Sequence, residues 1–116
     1  MAGELSASET EVAWFAHELL PELRSTGSHS RVVGGWQVGA PRVTAVEGHL
    51  TVLTSSAPTD QDSQRATELG EAVRAARERM DALTGAGTHD EWALDLDEVG
   101  AGLAAVLPPV RAPQVP

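Results

Sequence analysis

Arg31 to Thr54 reads RVVGGWQVGAPRVTAVEGHLTVLT, and the fold class rests on how this stretch is parsed. Val32, Gly34, Trp36 and Val38 alternate with Arg31, Val33, Gly35 and Gln37, the pattern of a strand with two unlike faces. Gly39-Ala40-Pro41 supplies a first turn. Arg42 to Val46 and His49 to Thr54 then form a hairpin around Glu47-Gly48, where Gly48 offers the positive φ a two-residue turn needs. In that register Val43, Ala45, Leu50 and Val52 share one face. The stretch predicts three short antiparallel strands.

On its amino-terminal side a helix is expected from Ser6 or Ser8, each the start of an S-x-x-E capping box, with Glu9 and Glu11 respectively. Val12, Phe15, Ala16, Leu19, Leu20 and Leu23 follow at helical spacing. Pro21 cannot bond to the His17 carbonyl, so the helix should kink or restart there. On the carboxyl-terminal side, Thr59 or Asp60 caps a long helix. Its apolar stripe runs Ala66, Leu69, Val73, Ala76, Met80, Leu83, and the opposite side carries Glu71, Arg74, Arg77, Glu78 and Asp81. Gly85 is placed to stop it. Glu91 to Asp97 alternates as a half-buried strand, with Trp92, Leu94 and Leu96 on one side. A short helix through Val99, Leu103, Val106 and Leu107 ends at Pro108-Pro109, and residues 108–116 form a Pro-rich disordered or extended tail.

The expected fold class is therefore α+β, in the order α-β-β-β-α-β-α. A three-stranded meander plus one later strand would carry the two main helices on one face. Residues 1–107 make a single domain, as the length prior also indicates for 116 residues.

Composition narrows the chemistry. There is no Cys, which removes disulfides, thiolate metal sites and thiol nucleophiles together. Lys is absent as well, so no Schiff base and no P-loop lysine can form. Arginine without lysine, among abundant Ala, Gly and Val, resembles a GC-rich bacterial coding sequence. The net charge of −9 argues against nucleic acid as a ligand. No apolar run approaches the ~18 residues of a membrane helix. An acidic amino terminus is unlike a signal peptide, so a soluble, cytoplasmic protein without membrane attachment is expected.

The sharpest polar cluster is His89, Asp90, Glu91, Asp95, Asp97 and Glu98, five acids with no Lys or Arg among them. It suggests a docking surface for a basic protein partner. A hard-metal site is the alternative, but acids about 7 Å apart along one strand face sit loosely around a single ion. The glycines at 34, 35 and 39 match neither a P-loop nor a G-x-G-x-x-G spacing. His17, His29, His49 and His89 form no H-x-x-x-H pair, and no G-x-S-x-G elbow occurs. No cofactor or metal is predicted. Leu69, Val73, Ala76, Met80 and Leu83 are either core or a homodimer interface. The leading expectation is a non-enzymatic interaction module such as a chaperone, immunity-type inhibitor or adaptor. A structural subunit of a phage or phage-like assembly is one alternative. A small metal- or ligand-dependent enzyme using the His89–Glu98 segment is the other.

Overall fold

A computed structural model describes residues 2–85 and 90–107, and these residues contain helices and turns but no strand. The chain begins with α1 (Ala2–Trp14), widens into one π-helical turn (Phe15–Leu19) and continues as α2 (Leu20–Ser25). After a turn come α3 (His29–Ser56), α4 (Asp60–Leu83) and α5 (Trp92–Ala104). The expected α+β sheet is thus corrected to a bundle-like array of helices. The meander is replaced by the single 28-residue helix α3, and the later strand over 91–97 by the first turns of α5.

The physical reason lies in a second periodicity within the same stretch. Val32, Trp36, Gly39, Val43, Val46, Leu50 and Leu53 are all buried, stepping 4-3-4-3-4-3 along one face of α3. Their neighbours in the two-residue alternation, Gly34 and Val38, face away from the core. The glycines that resemble turns serve close packing instead. A Cβ on Gly35 would come within 2.3 Å of Leu23 Cδ2, and one on Gly39 within 3.0 Å of Leu19 Cδ2. The missing methyls therefore let α3 lie close against the π turn and α2. Pro41 is on the solvent side of α3, where its lost bond to the Gln37 carbonyl leaves an acceptor facing water rather than core.

Caps fix where the long helices begin. Ser28 is extended and its hydroxyl accepts from the Arg31 amide at 3.3 Å; Thr59 does the same for Asp62 at 3.1 Å. Gly27, at φ 78°, makes the reversal between α2 and α3. Ser6 and Ser8, by contrast, lie inside α1. The helix starts earlier than the capping boxes suggest because Leu5 joins the core and carries the helix with it. Around Pro21, the Leu20 amide bonds to the Phe15 carbonyl, one residue beyond the α-helical partner, and α2 then restarts with the proline in its first turn.

α3 and α4 run antiparallel across the connection at 57–59 and form the principal helix pair. Trp36 stacks on Phe15 at 5.8 Å, and its buried indole N–H donates to Asp81 Oδ1 at 3.0 Å. The Ala66, Leu69, Val73, Ala76, Met80, Leu83 stripe forms the buried face of α4. α5 adds Leu96, Val99 and Leu103 to this core.

Candidate functional site

Charge is where the chain departs furthest from an ordinary small bundle, so the placement of its arginines defines the candidate surface. Of the seven arginines among the described residues, six reach a carboxylate. Arg42 on α3 grips Glu11 on α1, its Nε 3.3 Å from Oε1, and lies 3.9 Å over the Trp14 ring. Arg65 on α4 bonds Glu9 at 2.8 Å. Arg77 on α4 donates to Glu47 on α3 at 2.5 Å, with Arg74 at 3.5 Å from the same carboxylate. Arg79 on α4 holds Asp95, at 3.4 Å, and Glu98 on α5. Arg24 on α2 reaches Asp97 at 3.3 Å. Every helix is thus tied to another through guanidinium and carboxylate.

Glu47 is the most enclosed of these acids, its side chain 17% exposed. The hydrogen bond from Arg77 holds its carboxyl below the usual range of such groups, and Arg74 adds to the effect. The guanidinium of Arg79 is raised above its ordinary value by Glu98 and then Asp95, and that of Arg42 by Glu11.

These pairs bear directly on the acidic segment singled out from sequence. Asp95, Asp97 and Glu98 lie on α5 but point to two different neighbours, so three of the cluster's carboxylates already hold α5 to α4 and α2. Asp90 and Glu91 are exposed just before α5. His89 lies outside the described residues. Among the described residues no three metal-ligating side chains converge. Leu69, Val73, Ala76, Met80 and Leu83 are each buried within the single chain.

Acids outside the ion pairs include Glu4 on α1, Glu18 and Glu22 at the π turn and α2, Asp60 and Asp62 at the start of α4, Glu71 and Glu78 on its outer side, and Asp90 and Glu91. Sequence reasoning missed Arg79, Arg24 and Glu47 as organising residues. The Arg77–Asp81 pair, at i,i+4, was visible as a local signal; the cross-helix pairs have no local signature.

A groove of about 210 Å³ runs between α1 and α3, lined by Ser8, Glu11, Arg42, Ala45, Val46 and His49. Ser8 is 3% exposed and its Oγ has no hydrogen-bond partner among the described residues. No family model, curated protein or solved structure matches this chain. No helix among the described residues is long and apolar enough to cross a membrane.

Proposed function

We propose that this protein is a small, acidic, non-catalytic binding module that holds a basic protein partner, in the manner of a chaperone, immunity-type inhibitor or adaptor. One observation carries the reading. Six of the seven arginines among the described residues reach carboxylates within the molecule, and the net charge of −9 leaves acids in excess on the outside. Such a surface steers a cationic partner from a distance and fixes its orientation more than its affinity. Glu71 and Glu78 on α4, with Asp90 and Glu91 ahead of α5, are the acids best placed to meet it. Asp95, Asp97 and Glu98 contribute field while remaining bound to Arg79 and Arg24.

The test is capture by the immobilised full chain from a lysate of its source, at low and at raised salt. A stoichiometric basic protein that leaves as salt rises, and that the double variant Glu71→Arg/Glu78→Arg fails to retain, is the expected result. Capture of nothing overturns the proposal. Capture of only the chain itself, in a large defined assembly, overturns it in favour of a structural subunit.

A further inference from the structure

The outer face of α3 carries a stripe of small and apolar residues. Gly34, Val38, Pro41, Ala45, Gly48 and Val52 are all exposed and step 4-3-4-3-4 along it. They form a seam as regular as the buried one on the other side of the same helix. None of these six residues is charged, although 22% of the chain is Asp, Glu, Lys or Arg; Arg31, one step before Gly34, is exposed at the end of the seam. Val38, 84% exposed, and Val52, 61% exposed, are two of the three large hydrophobic side chains left open to solvent among the described residues. Around Gly34 and Gly48 nothing lies within 4 Å of where a Cβ would stand, so both are open notches beside the valines.

From this face we infer a second function-bearing surface: α3 pairs with α3 of a second copy of this chain, antiparallel, about a two-fold axis at the level of Val43. The sequence is self-complementary about that point. Rotation places Val52 over the partner's Gly34 and Pro41 against the partner's Ala45. Val38 enters the hole between the partner's Ala45, Gly48, His49 and Val52, a knob seated over a glycine. That hole adjoins the groove floored by the buried, unpartnered Ser8, which one copy alone leaves open.

Charge selects the occupant. Each copy carries −9, so apposing any acidic face of two copies sets like charges together, whereas the six seam residues of α3 are all uncharged. Arg42 flanks the seam but is turned toward Glu11 and Trp14 on α1. None of the six seam residues is a carboxylate; Glu11 and Asp81 lie to either side, in the depressions lined by Ala45 and by Pro41. The face covers roughly 400 Å² per copy, taking a helix rise of about 1.5 Å per residue; that is well below the ~800 Å² per partner of a stable complex. The pair is therefore a weak dimer that forms with concentration.

Sedimentation of the full chain over a concentration series, at low and raised salt, tests this. The expected result is a monomer–dimer equilibrium that tightens with salt, as screening weakens the repulsion between two copies of net charge −9. This is the opposite salt dependence to that of a basic partner, so the two proposals fail independently. Val38→Glu/Val52→Glu should abolish the dimer while leaving helical circular dichroism unchanged, since both side chains are exposed. Gly48→Gln, which fills the notch without adding charge, should weaken it several-fold. Because the chain has no Cys, register can be read directly. A mixture of Val38→Cys and Gly48→Cys chains should oxidise to the heterodimer, and neither should cross-link with itself. A monomer at all concentrations, a dimer indifferent to these variants, self-cross-linking of Val38→Cys, or a polymer larger than a dimer would each overturn the inference.

Discussion

Glu47 shows how one residue couples this fold to pH. Its carboxyl is held below the ordinary value of 4.5 by Arg77, so the folded state resists a proton that the unfolded chain accepts. The stabilisation from this group is complete above that ordinary value and is lost as pH falls through the lower folded value. Glu47→Gln should therefore lower the melting temperature at neutral pH and flatten its dependence on pH in the acid range; thermal melts across that range check this. Glycine positions separate just as cleanly. Gly48 stands in open space within α3, so Gly48→Ala should raise stability by about 0.5–1 kcal/mol through helix propensity. Gly35→Ala should give no such gain, because the new methyl meets Leu23. Denaturant titration of the two variants side by side distinguishes them. At this scale the sequence was partly legible. Thr59 was recognisable as a cap, whereas Ser6 and Ser8 offered caps that burial of Leu5 overrode.

Among the elements, α4 was the most legible and α3 the least. The apolar stripe of α4 repeats without competing signals, and the helix occupies Asp60–Leu83 where that stripe predicts it. Val73 is fully buried there, so Val73→Asp should cost about 3 kcal/mol or more by placing a charge in the core. Loss of cooperative unfolding, rather than a soluble folded monomer, is the expected readout. α3 was misread because Val, Thr and Gly are weak helix formers, and its glycines and Pro41 mimic turn punctuation. Only contact with Leu19 and Leu23 reveals Gly35 and Gly39 as packing residues, and that contact has no trace in local sequence. α5 is tied to α4 through Arg79 as well as through its core side chains. Arg79→Ala should speed amide hydrogen exchange within α5 while leaving that of α3 unchanged.

The described residues form a bundle-like array in which six of seven arginines are engaged by carboxylates. Far-UV circular dichroism should be dominated by helix, and a strand-rich spectrum would contradict the fold. The acidic balance and the absence of Lys and Cys were plain from composition. Which acids remain unpaired was not, since that depends on which helices adjoin. The same holds for the two faces of α3, one buried and one open. Their spacing is alike, and the buried one carries Trp36, Leu50 and Leu53 where the open one carries Pro41, Ala45 and two glycines.

The close approach of α3 to the π turn and α2 also constrains how this protein can change over generations. Gly35 and Leu23, and likewise Gly39 and Leu19, share one small volume each. Enlarging either glycine calls for a shorter side chain opposite it, and shortening either leucine opens room for a methyl across the gap. The four positions should therefore drift as two linked pairs, with single changes selected against and double changes tolerated, while Gly34 and Gly48 face no such partner among the described residues.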